Sequence, residues 1–504
     1  MFRHILTVSS GTFVSRLLGF ARDALAAALL GAGPAADAFL MAFQLVHVVR
    51  RLLSEGALNA ALVPAWTRVR DSAGPAAAAA FAGRVLGTVS TILVAAVVVV
   101  GFVMPWIVTV LAPGFAGRET LWFAVTDARL MLPYLAFSGP VTVMMGLLNA
   151  QHRFALTSFA PLLFNVALIG AMTALLAQGQ GAQTAALVMA ATVGIAGLVQ
   201  LLALAIPGRR AAPATPLRIA FDREMRGFLG TAGPGMIASA APQLLIVGGT
   251  IIASLSPSAV SWLYFANRLI ELPLGIVGVA MGTVLVPELT RAVSAGDRSV
   301  TAHAESRALE LAIGLALPAT LGLIVLAGPI VRLLFEHGAF TPADGSATAT
   351  TLCWLAAGLP AHVLVKALAP AFFARGDTLT PLHATLKGLA VAMAFALVLG
   401  HFGGAAGIAA ALAAGAWSNA TSLLRHGRAS FGFSLDDTAR RRLPRIATAA
   451  VAMGILLWLA AHTALPWVTD AHRLALAALV GVLITAGMAV YGLLLTLSGA
   501  IDPA

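Results

Sequence analysis

Three apolar stretches of this sequence are interrupted by charge. SRLLGFARDA carries Arg16, Arg22 and Asp23; the stretch that follows carries Asp37, Arg50, Arg51 and Glu55; ANRLIELP carries Arg268 and Glu271. Arginine presents a planar fork of donors that matches the oxygens of phosphate and carboxylate two at a time. A nearby carboxylate neutralises it and takes those donors. Arg51 and Glu55 stand four residues apart and Arg268 and Glu271 three apart, so each pair shares one helix face. Structural ion pairing is one reading of these groups; the other is that the cationic remainder binds an anion. Bond-making chemistry has no comparable signal. The chain has no HExxH pair, Walker loop, Gly-x-Ser-x-Gly elbow or acidic cluster suited to Mg²⁺. Its eleven histidines are scattered, without metal-ligand spacing. The expectation is a protein with no metal, no cofactor and no catalytic residue. Any transport would then draw on ion gradients, membrane potential or the substrate's own gradient.

The elements that must position these charges are membrane-spanning helices. Hydrophobic residues make up 60% of the 504 positions and charged residues 10%, against about 25% charged in a soluble domain. Apolar runs of about 20 residues, enough to cross the bilayer core as a helix, recur from end to end. The roughly 10-residue alternation of barrel strands is absent. The pattern places helices at 5–30, 37–63, 84–111, 124–149, 156–177, 183–206, 226–254, 259–286, 308–335, 346–373, 379–400, 404–425, 445–464 and 473–497. The fold class expected is an all-α polytopic membrane protein with about 14 transmembrane helices. The first run leads straight into the second and reads as a retained span, not a cleaved signal. The single cysteine, Cys353, cannot form an internal disulfide.

Short loops rich in Lys and Arg stay in the cytoplasm. From a cytoplasmic N-terminus, twenty of the 31 basic residues fall on that side, including Arg209, Arg210, Arg218, Arg223 and Arg226 in one connection. Only Arg118 and Arg473 fall outside. Both termini are therefore expected in the cytoplasm. The net charge of +11 is accounted for by topology and by anionic lipid, without nucleic acid.

This orientation sets depth. At 1.5 Å per residue, Arg16 lies roughly 16 Å from the inner end of the first helix. Arg50 lies roughly 20 Å below the outer end of the second, and Arg268 about 14 Å below that of the eighth. All three come near the middle of a roughly 30 Å core. Arg22, about 25 Å from the inner end, lies nearer the outside, as do Asp23 and Asp37. The middle zone keeps Arg16, Arg50, Arg51 and Arg268 against Glu55 and Glu271. Charge at that depth costs at least ~2.5–3.5 kcal/mol per residue on insertion scales, so an unpaired guanidinium there calls for water or an anionic ligand. Arg129, Arg332 and Lys387 lie near helix ends and can snorkel; Lys366 is deeper and stays open to either reading.

An internal repeat organises the helices. LVPAWTR at 62–68 and LVPELTR at 285–291 are 223 residues apart, and the same offset pairs Pro34 with Pro257 and Leu156-Thr157 with Leu379-Thr380. It spans an even number of helices, so the repeats share orientation, a transporter pattern. The expected division is an N-lobe over 1–206, a cytoplasmic linker over 207–226, a C-lobe over 227–428 and a C-terminal helix pair over 429–504. The two six-helix lobes are pseudo-symmetric.

SRLLGFARDALAAALLGAGPAADAFLMAF followed by VVRRLLSEGALNAALVP resembles the N-terminal signature of the MurJ/MviN family. SWLYFANRLIELPLGIVGVAMGTVLVPEL and LVKALAPAFFARGDTLTP resemble its eighth helix and its tenth-to-eleventh turn. The resemblance covers about residues 5–430. It implies lipid II flippases of the multidrug/oligosaccharidyl-lipid/polysaccharide exporter superfamily, two lobes facing a central cavity, and a groove for the polyprenyl tail on the last helix pair. The family's functional arginines fall on Arg16, Arg22, Arg50 and Arg268, its outer-end aspartate on Asp37, and its acidic positions on Glu55 and Glu271. Asp23 and Arg51 join them as supporting charges. The implied partners are lipid II, membrane lipids and the cell-wall synthesis machinery; the implied location is the bacterial inner membrane. Two positions depart from the family. Asn267 stands where the family commonly has Asp, and Leu45-Val46-His47 where it often has Leu-Pro-Asn. A neutral packing histidine is the expectation for His47. Exporters of other polyprenyl-linked glycans, a membrane enzyme acting on polyprenyl diphosphate and a scaffold remain as alternatives.

Overall fold

The computed structural model describes residues 2–54, 57–151, 153–211, 214, 217–238, 241–281, 286–295, 298–468 and 473–500. Among these the regular structure is helical. In order it comprises α1 (Phe2–Leu30), α2 (Pro34–Ser54), α3 (Ala57–Leu111), α4 (Glu119–Met131), α5 (Pro133–Ala150), α6 (Phe154–Ala177), α7 (Ala182–Ala211), α8 (Arg223–Ala238) and α9 (Ala241–Ala253). There follow α10 (Ala259–Ala280), α11 (Val286–Ala295), α12 (Arg298–Val325), α13 (Ala327–Phe335), α14 (Pro342–Phe373), α15 (Leu379–Phe431), α16 (Asp437–Ala464) and α17 (Arg473–Leu497). Among the described residues, nine helical segments are long and apolar enough to cross a membrane. The chain is a multi-pass membrane protein. α1, α2 and α10, which carry the candidate site charges, are not among the nine.

Two glycines divide the longest helices. Gly74 in α3 has φ 87° and Gly404 in α15 has φ 52°, a region that a Cβ makes costly. The stretch 57–73 folds back on the rest of α3. Leu58, Leu62 and Trp66 share one buried cluster with Ala78, Phe81, Val85 and Val89, and with Met225 and Phe228 of α8. The pattern places a helix over 37–63; the structure describes helix over Pro34–Ser54 and again from Ala57, residues 55 and 56 lying outside the described residues. The two limbs of α15 meet backbone to backbone. A Cβ on Gly388 would lie 2.7 Å from the Gly415 carbonyl oxygen, and one on Gly415 2.6 Å from that of Gly388.

By packing, the chain forms two compact units, residues 1–258 with 337–340 and residues 259–336 with 341–504. In the first, α1 packs along α6, α2 along α4, and α5 against α3 and α7. In the second, α14 packs against α10, α12, α13 and α15, and α16 against α12 and α17.

The connection before α8 is fastened to α3. The Thr88 hydroxyl donates to the Ala220 carbonyl at 3.2 Å and accepts from its N–H at 3.0 Å. Arg84 donates to Asp222 at 2.6 Å and to Glu224 at 2.7 Å. Asp222 also accepts from the Met225 N–H at 2.8 Å. That N–H, and then the Arg84 charge, hold the Asp222 carboxyl below its ordinary range. A carboxylate lowered by folding lends stability above its unfolded pKa and loses it as pH falls through its folded value. Amide protection factors over 217–226, corrected for the intrinsic pH dependence of exchange, should therefore fall on acidification below the ordinary aspartate range, and Asp222→Asn should show low protection already at neutral pH. Equal protection factors at neutral and acid pH in the parent chain would refute the latch.

Candidate functional site

The charges of the first unit come from α1 and α2. Packing of α1 along α6 sets Arg22 opposite Asn165. Arg22 is 7% exposed, and all three of its guanidinium nitrogens donate. Nε and Nη2 reach Asp23 Oδ1 at 2.9 and 2.6 Å, and Nη1 reaches the Asn165 side-chain oxygen at 3.1 Å. Asn165 in turn donates to the Ser15 carbonyl at 3.1 Å. The guanidinium lies 5.0 Å from the Phe43 ring and 5.9 Å from that of Phe164, contacts worth about 0.5–2 kcal/mol each. Arg22 is thus held on α1, α2 and α6 at once. Sequence reasoning passed over Asn165; its signal was a lone amide in the apolar run PLLFNVALIG.

Phe39, Phe43 and His47 recur every four residues and so line one face of α2. Their rings are in contact, Phe39 with Phe43 at 5.7 Å and Phe43 with His47 at 4.1 Å. Phe164 closes on His47 at 5.6 Å and on Tyr134 at 5.2 Å. His47 Nδ1 is 3.1 Å from the Phe43 carbonyl. A carbonyl only accepts, so Nδ1 carries the hydrogen and the ring serves as a packed aromatic.

Arg16 and Arg50 differ from Arg22. Arg16 is exposed and Arg50 half-buried. Among the described residues neither has a carboxylate within ion-pair distance or donates a hydrogen bond. The charges of Arg50 and Arg22 both act on His47 and on Tyr134, so the fields of α1 and α2 converge on one place. Asp23 offsets the charge of Arg22 there; among the described residues Arg50 has no such carboxylate. Arg51 is half-buried, and Glu55, its partner by spacing, lies outside the described residues. Asp37 is buried in the first turn of α2, where the helix dipole favours a negative charge.

In the second unit, α10 carries Arg268. Its Nη1 donates to Glu271 Oε2 at 2.6 Å, and both side chains are only partly buried. Asn267 lies 3.5 Å from the other Glu271 oxygen, at the long limit of a hydrogen bond. An aspartate in its place would set two carboxylates four residues apart; the amide leaves Glu271 to Arg268. Lys366 of α14 is exposed and donates to the Leu274 carbonyl of α10 at 3.3 Å. Among the described residues, no three His, Cys, Asp or Glu side chains are placed to hold a metal ion.

A family model described as lipid II flippase MurJ matches residues 26–478. The chain belongs to the MurJ family. It is 36% identical to a probable lipid II flippase MurJ of Rhizobium tropici, over 99% of this chain and 95% of that one. It is 34% identical to the lipid II flippase MurJ of Burkholderia cenocepacia, over 80% of each. A solved lipid II flippase MurJ in an inward closed conformation shares the fold, with a TM-score of 0.80, 22% identity and 98% coverage of both chains. An inward-facing multidrug resistance MATE family transporter of the MOP superfamily matches with a TM-score of 0.67 and 14% identity, over 88% of this chain and 99% of its own. MurJ membership spans both compact units and every candidate arginine except Arg16 and Arg22, which precede the matched span.

Proposed function

We propose that this chain flips lipid II from the cytoplasmic to the outer leaflet of the bacterial inner membrane, with both termini in the cytoplasm. The observation that carries the reading is that Arg16 and Arg50, on helices of a flippase-family chain, have no carboxylate partner among the described residues. Two guanidinium forks suit a diphosphate, whose charge a bilayer otherwise repels. Arg16, Arg50 and Arg268 bind that diphosphate, and Arg22, whose donors Asp23 and Asn165 take in this conformation, joins them when that packing opens. Asp37 works as a gate at the outer end of α1 and α2, and Asp23, Arg51, Glu55 and Glu271 balance the arginines. The lobes are 1–206 and 227–428, joined by the 207–226 linker, in a set of about 14 spans. They alternate access while the polyprenyl tail rides in a groove of residues 429–504. The ligand shifts that equilibrium only by binding one state more tightly than the other.

The test is depletion in the host, reading out lipid II with a toxin that cleaves it only from outside. Depletion should protect lipid II, and re-expression should restore cleavage. Arg268→Ala should fail to restore it, at a normal level of folded protein. Arg268→Ala also strips Glu271 of its partner, so Arg268→Ala/Glu271→Gln is the control. Recovery in the double variant would make Arg268 a charge balance and not a headgroup ligand. Lipid II still exposed after depletion, in a host without a second flippase, would move the substrate to another polyprenyl-linked glycan.

A further inference from the structure

The carboxyl group of Asp127 has no part in the arrangement of arginines. It lies on α4, about 12 Å along the axis from Glu119, and is 1% exposed. Among the described residues neither of its oxygens has a hydrogen-bond partner. Among the described residues no cation lies within ion-pair distance of it. Arg129 on the same helix is exposed and donates to the Gly101 carbonyl of α3 at 2.9 Å. α4 packs against α2, α3, α5, α7 and the turn at Pro113–Phe115. The stretches 85–111 of α3 and 182–205 of α7 contain no titratable side chain, and neither does that turn. α5 contributes Tyr134 alone. α2 contributes Asp37, of the same sign, and then His47, Arg50 and Arg51, three turns or so further along.

A bare carboxylate in that packing would lack both donor and cation, and burying an isolated charge costs far more than burying the neutral acid. We propose that Asp127 is a proton-binding site: its carboxyl group holds a proton while α4 is packed against α2 and α7, and releases it to water when that packing opens. The step is simple. The O–H bond breaks, its electron pair stays on the carboxylate, and the proton leaves to water; binding is the reverse. Because α2 carries Asp37 and Arg50, its movement away from α4 would link proton exchange to the anion site. That link rests on the flippase reading; the protonated carboxyl does not.

Infrared spectroscopy of the full-length protein in lipid nanodiscs tests both parts. At neutral pH the parent chain should show the C=O stretch of a protonated aspartic acid. ¹³C-aspartate labelling should shift that band, a readout that needs no substitution, and Asp127→Asn should remove it. No aspartic acid band in the labelled parent chain, or a band that survives Asp127→Asn, would overturn the site. In cells that depend on this chain, the pH dependence of lipid II exposure should be lost in Asp127→Asn. An unchanged pH profile in that variant would overturn the coupling. If the chain exposes no lipid II at any pH while the band is present and assigned, the flippase reading fails and the proton site stands.

Discussion

Replacing Arg22 with alanine should sharply reduce the amount of folded protein. The substitution leaves Asp23 buried without its counter-ion and withdraws the donor from Asn165. Removing one partner of a buried pair costs about 3–5 kcal/mol, a large part of a stability of roughly 5–15 kcal/mol. Restoring neutrality should recover most of it, so Arg22→Ala/Asp23→Ala should fold better than Arg22→Ala. Thermal unfolding in detergent, followed by fluorescence-detected gel filtration, would measure both. Two variants equal in melting temperature would show that Asp23 finds other partners and that the pair is not what holds α1 to α6.

Arg50→Ala and Arg16→Ala should do the opposite. Among the described residues neither guanidinium has a partner to strand, so melting should stay within about 0.5 kcal/mol of the parent, as for ordinary surface changes. What should fall is affinity for the anion. A charge-assisted hydrogen bond is worth about 1.5–3 kcal/mol, which is roughly ten- to hundredfold in dissociation constant. Binding of a short-chain polyprenyl diphosphate to the purified protein would show it, and Arg50→Lys should recover only part, because an ammonium lacks the planar fork. Unchanged binding in both alanine variants would remove the central support for a diphosphate site on α1 and α2.

The sequence made much of this legible, for reasons that can be named. Charge in an apolar run stands out because its cost is high, so Arg16, Arg22, Arg50 and Arg268 were visible as candidates at once. Their roles were less visible. Asp23 was seen beside Arg22, but Asn165 lies 143 residues away and Phe43 and Phe164 are on other helices; that environment comes only with packing. Arg22 and Arg50 look alike in the sequence and differ in the structure by their partners. The fold-back of 57–73 onto the rest of α3 was not legible either: the apolar spacing of Leu58 and Leu62 does not say what they face, and the turn rests on Gly74 (φ 87°). Asp127 was passed over because one carboxylate near the start of a helix looks like an interfacial residue until its burial is known.

The adjacency of Arg22 and Asp23 also bears on how the chain is made. α1 leaves the ribosome before α6 exists, so Asn165 is not yet available when α1 meets the lipid. An arginine whose only partner lay on a later helix would have to enter the bilayer bare, at the ~2.5–3.5 kcal/mol that insertion scales assign to it. Arg22 carries its counter-ion on the next residue, and the two can enter as a neutral pair. Asn165 and the aromatic rings then find a side chain already turned toward Asp23. That part of the first helix is tolerated before its neighbours arrive, and the packing that later encloses Arg22 fixes a geometry it could hold from the moment of insertion.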